Sequence, residues 1–171
     1  SEREQQVNMV SYLNVGSAWG VAAGNPKNFD PSNPCGATIA VQTGTAQEEY
    51  ATTLSDECVA AGKDKITVMP HELQTDIATK LIGGQYDATL ADSTVIGYTS
   101  SQSAGKIEQL GDTFESAPQG VAVAKDDAQL AEAIQKAMQY LMDNGYLNDI
   151  LATYGAENAA LTTAALNPTV D

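Results

Sequence analysis

The sequence predicts an α/β fold built on a largely parallel sheet, and three observations carry that prediction. From Cys35 onward, short apolar and β-branched runs alternate with stretches of helical periodicity. Each stretch is closed by a glycine, a proline or a capping residue. The connections between the runs are long enough for crossover helices, which parallel neighbours require. With 171 residues, 43% of them hydrophobic, the chain can bury a sizeable core in one domain or little more. No run approaches the roughly 18 apolar residues of a membrane span.

Residues 4–23 read as two short extended segments parted by Asn14–Gly16. Residues 24–34, rich in Asn, Pro, Asp and Ser, read as an exposed loop. A strand over 37–43 turns at once into a helix over 46–61, with Tyr50, Leu54 and Cys58 at helical spacing and Gly62 as its stop. A strand over 65–69 ends at Pro70. The helix after it, 71–82, carries Leu73, Ile77 and Leu81 on one face and stops at Gly83-Gly84. A strand over 86–91 leads through Asp92 into a helix over 93–103. A short segment, 107–110, and an extended run, 118–125, come next. Asp126 caps a helix over 127–143, with Gln129 in the box position and Leu130, Ile134, Met138 and Leu141 as its buried stripe. Asn144-Gly145 breaks it, and a helix over 146–154 presents Leu147, Ile150, Leu151 and Tyr154. These last two helices have no strand of their own to cover, so they are expected to pack on something other than the central sheet. The small-residue tail ends near Asn167-Pro168.

The turn Gln42-Thr43-Gly44-Thr45-Ala46 carries the chemistry. Thr45 stands at the N-cap with Glu48 three residues on, which predicts a reciprocal capping box. Gly44 permits close backbone approach, and amides at a helix start carry partial positive charge, so the turn suits a carboxylate or phosphate. An ordinary strand-to-helix connection is the alternative. Ligands of such sheets bind beyond the carboxyl ends of the strands, where Asp92 also falls.

Eight basic residues against twenty-two acidic ones give a net charge of -14, which argues against nucleic acid as a partner. An anion would have to be held by local dipoles and a few placed cations. An extended strand from Cys35 to Thr43 covers roughly 26 Å and a helix returning from Ala46 to Cys58 roughly 18 Å, so both sulfurs fall at the same end. A disulfide is feasible there and implies an oxidising, extracytoplasmic setting; two buried free thiols are the alternative. His71, the only histidine, reads as a helix-start residue rather than a metal ligand. Trp19 reads as packing rather than as a stacking platform, and Asp87 as facing solvent or a turn.

The ordered motifs then bring a resemblance. They are Ser-Glu-Arg3 before an extended run to Tyr12; Val-Gln42-Thr-Gly-Thr45-Ala-Gln; Leu81-Ile-Gly-Gly-Gln-Tyr-Asp87-Ala-Thr-Leu-Ala-Asp92; Gly120-Val-Ala-Val-Ala-Lys125-Asp-Asp; and Asp143-Asn-Gly-Tyr-Leu-Asn-Asp-Ile150 followed by Tyr154-Gly. Together they span nearly the whole chain. In that order the chain resembles the extracellular solute-binding proteins of polar amino-acid ABC transporters. The cysteine pair and the Asn167-Pro168 ending resemble actinobacterial members.

The resemblance implies a periplasmic-binding-protein-like fold of type II, with two α/β lobes joined by crossing strands and the ligand between them. Residues 1–23 would be a remnant of the first lobe and the first crossover, and 24–118 the second lobe. Residues 119–171 would be the second crossover and the helices that return to the first lobe. The family carries a long segment ahead of the Arg3 position, and the chain's Ser-Glu-Arg-Glu start looks cut, so a C-terminal fragment is expected.

The same resemblance gives Arg3 the α-carboxylate, which Thr45 and the Ala46 amide would hold from the second lobe. Gln42 would point into the cleft and Asp92 would bind the α-ammonium. The plainer readings are a solvated Arg3, an edge-polar Gln42 and an Asp92 that only caps its helix.

The implied function is extracellular or cell-surface capture of an amino acid for an ABC permease, with no cofactor, metal or catalysis. A dehydratase of prephenate-like acids would need a general acid that the sequence does not offer near the cleft. A ligand-sensing ectodomain shares the pocket and is the other alternative. Without the first lobe, Leu130, Ile134 and Met138 would lie exposed and favour self-association or pairing with the missing segment. Amino-acid affinity of the chain alone is expected to be much reduced.

Overall fold

The computed structural model of the chain describes residues 6–169. The chain divides into a central unit, Ser17–Phe114, and a terminal unit formed by Ser1–Gly16 with Glu115–Asp171. Five strands make one sheet in the order β3-β2-β4-β1-β5. They are β1 (Val7–Ala22), β2 (Thr38–Gln42), β3 (Thr67–His71), β4 (Ala88–Asp92) and β5 (Ile107–Ala124). β1 and β5 each run from one unit into the other.

In the central unit β2 pairs parallel with both β3 and β4, and β1 pairs antiparallel with β4. α1 (Ala46–Ala60), α2 (Gln74–Ile82) and α3 (Ser93–Gln102) connect the strands. β2 is covered on both faces, as a parallel strand must be. Ile39 and Val41 pack with Trp19, Phe29, Leu90 and Cys58, against which Tyr50 and Leu54 of α1 lie. Ala40 points the other way, to Ile77 and Leu81 of α2. Trp19 is a core residue, with its ring 5.1 Å from that of Phe29.

The loop before β2 is exposed through most of its length and turns at Gly24, Asn25 and Asn28, all at positive φ. Within it Ser32 donates from both Oγ and N to Asp30, which holds that carboxyl below its usual range. Cys35 and Cys58 form a disulfide with their Cα atoms 5.6 Å apart, fastening this loop to the last turns of α1. A link closing a loop of this length contributes on the order of 3 kcal/mol.

Several expectations need correction here. β1 is one strand, because neither Asn14 nor Gly16 adopts the positive φ that would bend the chain. β5 likewise runs unbroken from Ile107 to Ala124. Pro70 stands inside β3 opposite Val41 instead of ending the strand; β3 is an edge strand, where a missing N–H breaks no ladder bond. His71 therefore closes β3 rather than starting a helix, and its Nε2 lies 2.6 Å from the Tyr86 hydroxyl. α2 begins only at Gln74, which leaves Leu73 58% exposed while Ile77 and Leu81 are buried. Asp87 faces a neighbouring strand: its carboxylate accepts from Thr38 N at 2.7 Å.

The terminal unit holds α4 (Ala128–Asp143) and α5 (Tyr146–Thr153). The cap of α4 is Asp127, which accepts from Leu130 N at 3.0 Å; Asp126 lies one residue too early, so Gln129 is not in a box position. Leu147 is buried, and Leu151 packs with Leu13, Val15 and Ala159. The expected stripe of α4 is only partly buried: Leu130 is exposed, and Ile134, Met138 and Leu141 are half-buried. On α5, Ile150 and Tyr154 are exposed as well. The tail pairs with β1 through Leu161 N to Tyr12 O, Ser11 N to Ala165 O and Asn167 N to Met9 O. Gln139 fixes it from α4, donating to Thr162 O and accepting from Ala164 N.

Two glycines allow close approaches. A Cβ on Gly120 would stand 2.5 Å from the carbonyl oxygen of Val10, whereas one on Gly20 would stand 2.8 Å from Ile96 Cδ1 and 2.9 Å from Thr89 Cγ2. Backbone cannot yield as a side-chain methyl can. Gly120→Ala is therefore expected to destabilise its unit by about 1–3 kcal/mol in urea unfolding, and Gly20→Ala by less, with Ile96→Val restoring part of the Gly20 loss. A neutral Gly120→Ala would contradict the close approach of β5 to β1.

Candidate functional site

The residues with chemistry to offer collect at the carboxyl ends of β2 and β4. β2 ends at Gln42, and Thr43 N donates to His71 O at 2.9 Å, which anchors the turn to the tip of β3. Gly44 has φ 76 and open space around the position of a Cβ, so glycine is needed there for conformation rather than for room. Thr45 is the N-cap of α1; its Oγ1 accepts from Glu48 N at 3.2 Å and donates to Gln42 O at 2.7 Å.

The other half of the expected box is displaced by one residue. Glu48 accepts from Gly44 N at 2.7 Å, not from Thr45 N. Gly44 N is thereby engaged, and the amides that helix geometry leaves without intrahelical partners include those of Ala46 and Gln47. Ala46 is exposed and Thr45 half-buried, so the first turn of α1 is open rather than covered by the rest of its unit. Gln42 is exposed, and its Nε2 donates to Glu72 O at 3.2 Å, which ties the side chain to the connection after β3.

Asp92 ends β4 and is the backbone N-cap of α3, yet its side chain makes no capping bond. Its Oδ1 accepts instead from Gln47 Nε2 at 2.9 Å, and the same Nε2 donates to Ser17 Oγ at 3.1 Å. Ser17 and Asp92 are register partners on β1 and β4. Gln47 is the residue after Ala46, so one side chain joins the first turn of α1 to the acid. Thr45, Ala46 and Asp92 thus belong to one edge of the central unit. Gln42 is at the same edge with its amide turned to Glu72. Arg3 lies outside the described residues.

Sequence reasoning missed Gln47 and Ser17. Gln47 had a signal, its place beside Ala46 in the first helical turn, where a long polar side chain can reach the next strand tip. Ser17 had none. Among the described residues no group of three or more His, Cys, Asp or Glu is placed to hold a metal. An open cavity of about 250 Å³, lined by Pro34, Cys35, Leu54, Cys58 and Lys63 among others, lies by the disulfide at the amino end of β2, away from this edge.

What the edge offers chemically is two opposite fields a few residues apart. Backbone amides at a helix start favour an anion, and a carboxylate favours a cation.

No family profile matches the chain. It is 36% identical over 167 residues to an arginine-binding protein, ArgT, of Corynebacterium glutamicum, covering 97% of this chain and 55% of that one. The chain thus spans about half the length of this curated relative. Among solved structures it is similar to a polar amino acid ABC uptake transporter substrate-binding protein from Streptococcus thermophilus. There the TM-score is 0.72 and the identity 19%, over 94% of this chain and 61% of the other. It is also similar to holo ArgBP from T. maritima, with TM-score 0.55 and 25% identity over 82% of this chain and 59% of the other. These likenesses establish the periplasmic-binding-protein-like α/β fold.

The cap can be tested without any ligand. Thr45→Ala should lower the stability of the central unit by about 1 kcal/mol and Thr45→Ser by much less, read from chemical unfolding. Equal losses would show that the hydroxyl is not the cap.

Proposed function

We propose that the chain supplies part of a site that captures a free amino acid outside the membrane for import, as the solute-binding proteins of amino-acid ABC transporters do; its 36% identity to an arginine-binding protein supports this reading. The observation that carries the reading is the meeting, at one strand edge, of the first turn of α1 with the Asp92 carboxylate through Gln47. A free amino acid presents a carboxylate and an ammonium on one carbon, and this edge presents a partner for each. Thr45 and the Ala46 amide take the carboxylate, and Asp92 takes the ammonium. Gln42 borders the ligand from the tip of β2, and Arg3 supplies a guanidinium fork to the same carboxylate.

The ligand is bound and released unchanged. The partner is the permease of the transporter, and the disulfide fits an oxidising location at the cell surface or beyond the membrane. Among the described residues no helix is long and apolar enough to cross a membrane. The relative's name makes arginine the first ligand to try. Leu130, Tyr140 and Ile150, exposed on α4 and α5, are the surface through which the chain would associate with a second copy.

Hydrogen bonds to charged partners contribute about 1.5–3 kcal/mol each. In the protein that carries this chain, Asp92→Asn should weaken arginine binding by about tenfold or more in calorimetry. The same variant should leave the binding of the desamino analogue of arginine, which lacks the ammonium, nearly unchanged. Unaltered arginine affinity in Asp92→Asn would contradict the role given to this acid.

A further inference from the structure

We propose that Gln47 is a positioning residue for the amino-acid site: its side-chain amide holds the Asp92 carboxylate off its own helix and toward the first turn of α1. The proposal rests on the reading of Asp92 as the ammonium partner and adds to it a residue that touches no ligand.

The Asp92 side chain does not do the ordinary work of its position. An aspartate at an N-cap usually accepts from the second or third amide of the helix that it starts. Asp92 has the extended backbone of an N-cap, with φ -57 and ψ 141, but makes no such bond to α3. Its Oδ1 is bound instead by Gln47 from a different helix, at 2.9 Å. A carboxylate can only accept, so the amide must turn its nitrogen and not its oxygen to Asp92.

The second contact of that nitrogen explains why the amide stays there. Nε2 carries two hydrogens; one goes to Asp92 and the other to Ser17 Oγ at 3.1 Å. Ser17 is buried on β1, directly across the ladder from Asp92. Gln47 is thus fixed at its base by α1 and at its tip by β1 and β4. Among the described residues Asp92 Oδ2 has no hydrogen-bond partner, so the bond to Oδ1 leaves the second oxygen to a ligand cation.

The arrangement has a consequence for selectivity. Loss of the Gln47 amide frees the carboxylate to rotate onto the amides of α3, its local alternative. Only ligands that use Asp92 should then suffer.

The test is a double-mutant cycle in the protein that carries this chain, using Gln47→Met, Asp92→Ala and the pair, with calorimetric affinities for arginine and for its desamino analogue. Gln47→Met should lower arginine affinity by about tenfold, leave the desamino analogue within about twofold, and add little to Asp92→Ala. Gln47→Glu, which sets a second carboxylate against Asp92, should lose more than Gln47→Met, and both should unfold near the parent midpoint. An equal loss for both ligands, or full additivity with Asp92→Ala, would make Gln47 merely structural and overturn the proposal. A loss on Asp92→Ala with an unchanged Gln47→Met would overturn the role of Gln47 alone. No loss on Asp92→Ala would overturn the reading of the acid, and this proposal with it.

Discussion

The parallel pairing of β2 with β4 is the constraint on which the site depends. Because Ile39 faces Ala88 and Val41 faces Leu90 in parallel register, both strands end at the same edge of the sheet. The chain leaves β2 into α1 and leaves β4 into α3, so a helix start and a strand-end acid arrive side by side without a loop built for the purpose. An antiparallel pairing would have sent the turn at Gly44 and the acid at Asp92 to opposite edges. The short connections then decide the chemistry. Thr43 is pinned to His71, Thr45 bonds back to Gln42 and Glu48 reaches Gly44, so the open turn is held from three sides.

That rigidity has to be supported from below, and the central unit supplies the support. β2 is buried on both faces, by the α1 side through Ile39 and Val41 and by the α2 side through Ala40. The disulfide fastens the far end of α1, so both ends of the helix that carries the turn are tied to β2 or to its flanks. With a chain charge of -14, long-range attraction of an anion is not available. Under the proposed function, local dipoles at the start of α1 would do that work, within the first turn over which they act.

Much of the central unit was legible in the sequence because its elements are periodic and punctuated. The alternation from Cys35 to Gln102, the cap at Thr45, the end of β4 at Asp92 and the feasible Cys35–Cys58 pairing all rest on local signals that the fold does not override. The misreadings come where tertiary context outweighs a local rule. Pro70 is tolerated because β3 is an edge, Asn14 and Gly16 because a long strand passes through them, and the tail at Leu161–Asn167 pairs with β1 although its small residues show no strand period. At the site, the turn and the acid were legible as separate features. The bond between them was not, since Gln47 and Asp92 stand 45 residues apart and only the sheet register brings them together. Glu48 was assigned the right kind of bond and the wrong amide, because box geometry at one residue's offset cannot be told from spacing alone.

The most direct test of the central claim, that the α1 turn and Asp92 are two halves of one ligand contact, is an amide-resolved NMR titration of the protein that carries this chain with arginine. The account predicts that the amides of Ala46, Gln47 and Asp92 shift together and saturate with a single Kd. Shifts confined to other residues, or a turn and an acid that respond with different affinities, would contradict it.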